Sequence, residues 1–452
     1  MTGRTSTLRR RLYLLSFIDE FGPVYAVYTL WFNDNGVTTA QISTVFLAWA
    51  VFALVLEIPS GALADRMDRR LLLAGAFGTR ATGIGVWLLW PTFAGVVIGA
   101  ALWAAHDAAA SGSWEALIHD ELTAVGQADA YQPVMARIGQ FSHVGVTTGT
   151  LLGAALLRID VDVVTLGWIT VAAHAGSVSG VLLLPDVRWV SGGGDPPARR
   201  GEATASASVG AGPVSGPIIS DVDEAARPIR TGSVGAGFRA WWDTLRRGVD
   251  DARHTPSIAR LVVVGSLLGG LFILDEYLPL LARARGGADS AAPVIVLVVW
   301  LGLLAGGEFA ARRTELGGPQ LGFILITGVA VTTVAFVTDP VWTLMLVAVG
   351  YGALEATWIA ADARMQERTP AATRATVTSV RGFGGAAVSM LAFVVIGAMA
   401  DGDDPTPGHF VVLGALAVAA LLVIRWLPAP QRADPRGDDR GRVEPGRAEM
   451  DT

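Results

Sequence analysis

The sequence predicts an all-α polytopic membrane protein with about twelve transmembrane helices. Three observations lead to this prediction: an apolar composition, many apolar runs long enough to cross a bilayer, and no strand-like alternation within those runs. The chain of 452 residues is 52% hydrophobic and only 16% charged, and its mean hydropathy is +0.48. A soluble chain of this length would be far less apolar. The chain has no cysteine, which excludes disulfide and thiol chemistry.

The apolar runs have the length that a bilayer demands of a helix, which is about 20 residues. They lie near residues 11–32, 41–64, 71–90, 93–118, 131–157, 161–184, 257–282, 291–311, 320–338, 341–363, 374–399 and 408–427. A helix satisfies its own backbone hydrogen bonds in lipid, whereas an isolated strand does not. The runs therefore predict helices.

Polar segments divide the chain into four parts. We expect one six-helix bundle over residues 1–184 and a second over residues 257–427. Residues 185–256 have the Gly-, Pro- and Ser-rich composition of a largely disordered linker, predicted to be cytoplasmic. Near residues 238–254 the paired tryptophans suit a surface helix at the membrane interface. Residues 428–452 are predicted to form a disordered cytoplasmic tail.

Adjacent carboxylates occur twice inside apolar segments. The stretch "SFIDEFGPVYAVYTLWF" contains Asp19 and Glu20, and "LFILDEYLPLL" contains Asp275 and Glu276. In both, an aromatic residue, one spacer and proline follow the carboxylates. This recurrence indicates an internal duplication. Since both halves begin on the same side, the repeats are parallel, an arrangement that places a cavity between the halves at the midplane.

Arginine supplies all the basic side chains, because the sequence has no lysine. One predicted side of the membrane carries most of the loop arginines: Arg4, Arg9, Arg10, Arg11, Arg66, Arg69, Arg70, Arg312, Arg313, Arg364, Arg368 and Arg374. The opposite side carries Arg158, Arg283 and Arg285. The positive-inside rule therefore places both termini and the linker in the cytoplasm.

Charged residues at membrane depth are costly and indicate function by default. The candidates for substrate transport or proton coupling are Asp19, Glu20, Arg80, Asp107, Asp275 and Glu276. Asp19 is the first candidate for the carboxylate that carries a proton or binds a cationic substrate. The alternative is that Asp19 or Glu20 is a permanent ion-pair partner of Arg80.

Two further acid–base combinations occupy corresponding places in the two halves. We expect Glu115 to pair with Arg137 and Glu355 to pair with Arg381, each near the cytoplasmic end of its helix. These pairs are predicted to hold adjacent helices or to take part in gating.

The stretch "GALADRMDRRLLL" between the second and third spans resembles the loop signature of the major facilitator superfamily, G-x-L-A-D-R-x-G-R-[RK]-x-x-L. The matching residues are Gly61, Leu63, Asp65, Arg66, Arg69, Arg70 and Leu73. Asp68 stands where the family usually has glycine. The stretches "LEIPSG", "SGSWEALIHDEL" and "RATVTSVRGFGG" are also similar to those of bacterial members that export drugs and metabolites, and the resemblance covers roughly residues 10–428.

The resemblance implies a role for the loop. In the family, this cluster locks the cytoplasmic side in the outward-facing state, which assigns Asp65 and Arg69 to the lock. Gly61 would allow two helices to approach closely, and Arg66 would anchor the loop on the cytoplasmic side.

The resemblance and the buried acids together favour a secondary active transporter that exports small amphipathic compounds in exchange for protons. The alternative is uptake of a metabolite by symport or facilitated diffusion, although few Asn or Gln residues lie in the spans. A non-transport membrane enzyme or receptor is the remote alternative, since HExxH, GxSxG and P-loop motifs are missing. We expect no enzymatic activity, cofactor, metal or nucleic-acid partner. A monomer in the bacterial plasma membrane is expected, with a small-molecule substrate and a proton or other cation as partners.

Overall fold

The structure is a computed structural model that describes residues 2–64, 67–184, 246, 255–370 and 373–430. These ranges are helical, and their only extended pairing is a single bridge between Asp401 and Asp404. The predicted all-α fold is therefore confirmed. Apart from Arg246, the predictions for the linker before residue 255 and for the tail after residue 430 lie outside the described residues.

The N-terminal half contains eight described α-helices. They are α1 (Thr2–Glu20), α2 (Tyr28–Asp34), α3 (Thr39–Ala64), α4 (Arg69–Leu89), α5 (Phe93–Ala110), α6 (Ser113–Ala124), α7 (Tyr131–Leu157) and α8 (Val163–Leu182). The C-terminal half contributes α9 (Pro256–Gly270), α10 (Leu278–Ala284), α11 (Ala292–Arg312), α12 (Gly318–Val337), α13 (Val347–Arg368), α14 (Arg374–Met399) and α15 (Thr406–Trp426).

Ten helical segments in the described ranges are long and apolar enough to cross a membrane. The predicted spans 11–32 and 131–157 are also helical, but their composition is more polar. The first overlaps α1, which combines four arginines with two carboxylates, and α7 carries glutamine, arginine and histidine side chains. Not all of these polar groups pack inside the bundle: Asp19 and Glu20 are only partly exposed, whereas Arg10, Arg11, Arg137 and Gln140 are exposed.

The first predicted span is not one continuous helix. α1 ends at Glu20 and α2 begins at Tyr28, with Gly22 and Pro23 in the break. Proline has no N–H to donate and disfavours a helical residue before it. Asp19 and Glu20 therefore occupy the end of a helix, where backbone carbonyls are left without helical partners.

The corresponding segment of the second half is interrupted at the same motif. α9 ends at Gly270, a 3₁₀ turn covers Phe272–Tyr277, and α10 begins at Leu278. Asp275 and Glu276 lie within this turn. Both carboxylate pairs thus lie at breaks in the first helix of their half, a feature typical of binding sites in membrane transporters.

Two other predicted spans are also interrupted. The span 93–118 bends at Gly112, whose φ of 67° separates α5 from α6. The span 341–363 begins as a 3₁₀ turn over Val341–Leu346 before α13 starts.

Small residues let α7 pack directly on the broken first segment. A Cβ atom on Gly149 would lie 2.7 Å from the backbone nitrogen of Gly22, and one on Gly153 would lie 2.4 Å from the carbonyl oxygen of Pro23. Larger side chains would push the two segments apart.

We call the end of the bundle that carries the start of α1 and the end of α15 the termini side, and the opposite end the far side. One buried apolar cluster runs through the C-terminal half and continues on the far side into the N-terminal half through Leu30, Phe32 and Phe46. A separate cluster around Leu12 and Phe77 forms the termini-side core of the N-terminal half. The halves thus share a core on the far side.

Polar contacts also join the halves on the far side. Nη1 and Nη2 of Arg283 lie 2.5 and 3.2 Å from the two carboxylate oxygens of Asp34. The hydroxyl of Thr39 donates to the carbonyl oxygen of Asp403 at 2.9 Å. The described structure is therefore closed on the far side.

Candidate functional site

Arg80 lies at the centre of a charged cluster in the N-terminal half. It projects from α4 and is 4% exposed. Its Nη1 lies 3.4 Å from Oδ1 of Asp19, and its Nη2 lies 3.9 Å from Oε2 of Glu20. The break after α1 brings both carboxylates to the same guanidinium, so the structure forms the ion pair that the sequence offered as an alternative role for Asp19.

Aromatic rings hold the Arg80 guanidinium from two sides. Its Cζ lies 4.6 Å from the ring centroid of Trp103 and 5.4 Å from that of Tyr25. Such contacts stabilise a desolvated cation. The Trp103 ring in turn stacks on Trp87 at 5.3 Å. This aromatic support fixes the position of Arg80.

Two histidines extend this cluster. His174 Nδ1 lies 3.7 Å from Asp19 Oδ1, and its Nε2 is 2.6 Å from the Tyr25 hydroxyl. His106 Nε2 lies 3.9 Å from Asp19 Oδ1, while its Nδ1 is 3.0 Å from Asp107 Oδ1. Asp107, a predicted candidate, therefore joins the same cluster through His106.

Trp49 completes the contacts of Asp107, because its indole N–H donates to Asp107 Oδ2 at 3.1 Å. Sequence reasoning did not place Tyr25 in this cluster, because Tyr25 lies beyond the helix break. The Gly22–Pro23 dipeptide was the signal that could have revealed the break.

Asp275 belongs to a second cluster, in the C-terminal half. Its Oδ2 accepts a hydrogen bond from the Trp300 indole N–H at 3.2 Å, and its Oδ1 accepts one from the Tyr351 hydroxyl at 3.1 Å. The Asp275 backbone N–H donates to the Tyr351 oxygen at 2.5 Å. Neutral donors, rather than a cation, therefore satisfy this carboxylate.

Glu276 makes its hydrogen bond across the two halves. The Tyr28 hydroxyl of α2 donates to Glu276 Oε2 at 2.5 Å. Among the ion pairs of the described residues, none includes Asp275 or Glu276. The two Asp–Glu pairs thus have different surroundings, since Arg80 forms ion pairs with Asp19 and Glu20 but not with Asp275 or Glu276.

The predicted pairing of Glu355 with Arg381 is wrong. Arg381 Nε lies 3.3 Å from Asp362 Oδ1, and its guanidinium carbon lies 5.3 Å from the Trp358 ring centroid. Glu355 is 5% exposed, and no arginine or histidine lies within 4 Å of it in the described ranges. Asp362 is two turns further along α13 than Glu355, which places it closer to the level of Arg381.

The predicted pairing of Glu115 with Arg137 is also wrong. Arg137 Nη1 donates to Gln140 Oε1 at 3.0 Å, and no ion pair joins Arg137 to Glu115 within the ranges that the structure covers. Because the chain turns at Gly112, Glu115 belongs to α6 and not to the continuous helix on which the prediction relied.

The loop motif between α3 and α4 is described in part. Asp65 and Arg66 lie outside the described residues, and Gly61 lies in the last turns of α3. Arg69 forms an ion pair with Asp120 of α6. The motif therefore ties the start of α4 to α6 within the N-terminal half.

Asp68 caps α4 at the position where the family usually has glycine. Its carboxylate accepts hydrogen bonds from the backbone N–H groups of Arg70 and Leu71 at 2.8 and 3.3 Å, and its φ of −60° requires no glycine. Partial burial acts to raise the pKa of Asp68, but the hydrogen bonds from Arg70 and the backbone lower it below its ordinary value. Arg70 also donates to the carbonyl oxygen of Leu184 at 3.1 Å, which attaches the loop to the end of α8.

No protein-family model and no curated protein sequence matches the chain. Solved structures do match. The nucleoside transporter NupG has a TM-score of 0.64 at 14% identity, covering 93% of this chain and 98% of that one. A D-xylose–proton symporter has a TM-score of 0.60 at 12% identity, covering 94% and 96%.

A third similar structure is a bacterial homologue of the human lysosomal transporter Spinster in an inward-facing conformation. Its TM-score is 0.57 at 16% identity, and the match covers 94% of both chains. These identities establish the fold alone. The chain has the fold of the major facilitator transporters, with two pseudo-symmetric six-helix bundles.

Proposed function

We propose that this protein is a secondary active transporter that works by alternating access and exports small amphipathic compounds in exchange for protons. The observation that carries the proposal is the pair of buried charged clusters at the helix breaks of a major facilitator fold. Charged side chains at membrane depth are costly to the stability of the protein, so their presence there indicates a function. A transporter uses such groups to bind a proton or substrate in one state and release it in another.

The distribution of contacts between the halves supports alternating access. The halves share a core and an Arg283–Asp34 ion pair on the far side, whereas the termini-side core of the N-terminal half is separate. If the arginine-rich termini side is cytoplasmic, as the positive-inside rule favours, this arrangement corresponds to an inward-facing state. Both termini would then lie in the cytoplasm of a bacterial plasma membrane.

The two carboxylate pairs suggest different roles. Asp19 lies near Arg80, His106 and His174, so its contacts favour a structural ion pair over a freely titrating group. Among the described residues no such cation lies beside Asp275 or Glu276, so these two are the better candidates for coupling. Asp107, which is partly exposed, remains a candidate for substrate contact.

The side chains around the clusters favour an amphipathic substrate over a sugar. Tyr25, Trp49, Trp103 and Trp358 supply aromatic surfaces, and the hydrogen bonds of these clusters involve no Asn or Gln side chain in the described residues. A sugar site would be expected to offer several amide groups.

The loop contacts support a gating role near the termini side. Arg69 with Asp120 and Arg70 with Leu184 attach the motif to neighbouring helices of the same half. We propose that Asp65 and Arg69 take part in closing the termini side in the opposite state, and that the chain acts as a monomer.

Transport by the purified protein in proteoliposomes tests the proposal. An imposed pH gradient should drive compounds against their own gradient, and adding a transported compound should move protons in the opposite direction. A panel of lipophilic amines, neutral amphipathic compounds, nucleosides and sugars would be compared with protein-free liposomes. Compound movement that is the same with and without the pH gradient would contradict proton coupling.

Uptake of a metabolite is the second candidate, because two of the similar structures are a nucleoside transporter and a D-xylose–proton symporter. The proteoliposome assay distinguishes export in exchange for protons from uptake together with protons. Protons and compound moving in the same direction would favour symport, and the compound class that moves would identify the substrate type.

A further inference from the structure

One face of α13 alternates between aromatic rings and acids. It carries, at intervals of four, three and four residues, Tyr351, Glu355, Trp358 and Asp362, which is the spacing of neighbours on one side of a helix. The ring centroid of Phe272 lies 6.1 Å from that of Tyr351 and 6.2 Å from that of Trp358. The face is therefore directed toward the turn after α9, and Glu355 lies between two rings that contact Phe272.

Glu355 is a buried acid without a polar partner. Its residue is 5% exposed, and among the described residues it makes no hydrogen bond and no ion pair. Buried polar groups in proteins are nearly always hydrogen-bonded, and an ionised carboxylate that is withdrawn from water requires a cation. Glu355 thus lacks a partner that a bound compound could supply.

The same face already holds one cationic group. The guanidinium carbon of Arg381 lies 5.3 Å from the Trp358 ring centroid, and Nε lies 3.3 Å from Asp362 Oδ1. Glycines of α9 make room for both side chains: a Cβ atom on Gly265 would lie 2.8 Å from Arg381 Cδ, and one on Gly269 would lie 3.1 Å from Trp358 Nε1. An aromatic ring beside a carboxylate is the environment that stabilises a desolvated cation.

Arg381 leaves part of this environment unused. Its guanidinium is directed at Asp362, so the charge of Glu355 stays uncompensated. The indole N–H of Trp358 has no hydrogen-bond partner in the described ranges. Trp358 and Phe272 are also partly exposed, so aromatic surface remains accessible beside the buried acid.

The charged cluster of the N-terminal half shows what a complete arrangement looks like. Arg80 lies between the rings of Trp103 and Tyr25 and within 4 Å of carboxylate oxygens of both Asp19 and Glu20. Each buried acid there has a cation. In the C-terminal half one arginine contacts one ring and one acid, and a second acid on the same helix face has none.

We propose that the face of α13 from Glu355 to Asp362 binds the positively charged group of the transported compound, and that Arg381 occupies part of this site in the present structure. The inference rests on the proposed function, because it names the charge of the amphipathic compounds as positive: lipophilic amines and quaternary ammonium compounds. Glu355 supplies the countercharge, and Trp358 and Phe272 supply the surface for the apolar part. Arg381 moves away from Trp358 when the compound binds.

Equilibrium binding of radiolabelled tetraphenylphosphonium, a permanent lipophilic cation, tests the proposal with the purified full-length protein in detergent. Glu355→Gln keeps the shape of the side chain and removes its charge, so the dissociation constant should rise by about tenfold or more. Trp358→Leu should also weaken binding, because it removes the aromatic ring. The matched control is Glu308→Gln, since the Glu308 side chain is 61% exposed and lies outside the site; its affinity should equal that of the unmodified protein.

Arg381→Gln separates the cation site from a general apolar surface. Because this change removes the group that competes for Trp358, it should strengthen binding of the probe. Phenyltrimethylammonium should displace the probe, whereas tert-butylbenzene, its uncharged counterpart of the same shape, should not. This pair of compounds decides the question with the unmodified protein if Glu355→Gln does not fold.

The possible failures are distinguishable. The inference would be overturned by unchanged affinity in Glu355→Gln, by weaker binding in Arg381→Gln, or by equal displacement by the charged and uncharged compounds. Proton-coupled export of neutral compounds alone would overturn the inference and leave the proposed function standing. Glu355-dependent binding of the probe by a protein that moves no compound in response to a pH gradient would overturn the proposed function alone.

Discussion

Replacing Arg80 tests whether the N-terminal charged cluster stabilises the fold. The side chains of Arg80, Asp19 and Glu20 are 5%, 19% and 14% exposed. Arg80→Gln would leave two largely buried carboxylates without their cation. Removing one partner of a buried ion pair costs about 3–5 kcal/mol, and loss of the contacts with Trp103 and Tyr25 adds to that. We expect a decrease of that size in the free energy of unfolding.

Denaturant titration of the detergent-solubilised protein, followed by tryptophan fluorescence, measures this change. Arg312→Gln is the matched control, because the Arg312–Glu308 pair is 74% and 61% exposed and should contribute less than about 1 kcal/mol. Asp19→Asn combined with Arg80→Gln should recover part of the lost stability. An Arg80→Gln variant no less stable than the Arg312→Gln control, or a double variant without recovery, would refute the buried-pair reasoning.

Three further changes have defined outcomes. Gly149→Ala should lower the free energy of unfolding by about 1–3 kcal/mol, because the added carbon meets the backbone between α1 and α2; Gly139→Ala on the same helix meets nothing within 4 Å and should be neutral or stabilising. Because its folded-state pKa is lowered, Asp68 stabilises the fold above its ordinary value of 3.8, and this contribution is lost as the pH falls through the lowered pKa. Asp68→Asn should keep the cap and remove that pH dependence, whereas Asp68→Ala should cost about 1 kcal/mol, both measured by thermal unfolding at several pH values. Arg283→Gln should shift the distance distribution between spin labels at Ala94→Cys and Ala288→Cys, two exposed positions at the far-side ends of opposite halves, toward an open far side, because it removes the ion pair with Asp34; an unchanged distribution would show that this ion pair is not needed to close that side.

The fold class could be predicted from the sequence, because hydropathy and internal repeats can be read directly from the order of the residues. Runs of apolar residues predicted the transmembrane segments, and the recurrence of Asp19–Glu20 as Asp275–Glu276 predicted the duplication. The helix breaks at these motifs were not predicted, because a hydropathy average does not register a change of backbone direction. Gly22 carried the local signal for the first break.

The partners of the charged residues were harder to predict, because they depend on helix rotation and relative depth. Arg80 could be matched to the Asp19–Glu20 pair because it is the single charged residue of its predicted span, residues 71–90, and needs an acidic partner. Arg381 was assigned to Glu355 by analogy between the halves, yet the structure places it against Asp362. Glu355 and Asp362 are two helical turns apart, about 10 Å along α13. Sequence spacing alone does not tell which of the two lies at the level of Arg381.

The two halves share the Asp–Glu motif but differ in its surroundings, and this difference supports the different roles proposed for the two pairs. In the N-terminal half, α4 provides Arg80, so proton binding to Asp19 would have to compete with a fixed cation. In the C-terminal half, the corresponding carboxylates meet Trp300, Tyr351 and, across the halves, Tyr28. A group that must gain and lose a proton during each cycle needs an environment in which both forms are accessible. Among the described residues only the second motif has no arginine or histidine in ion-pair distance, and this supports the proposal that its carboxylates carry the coupling proton.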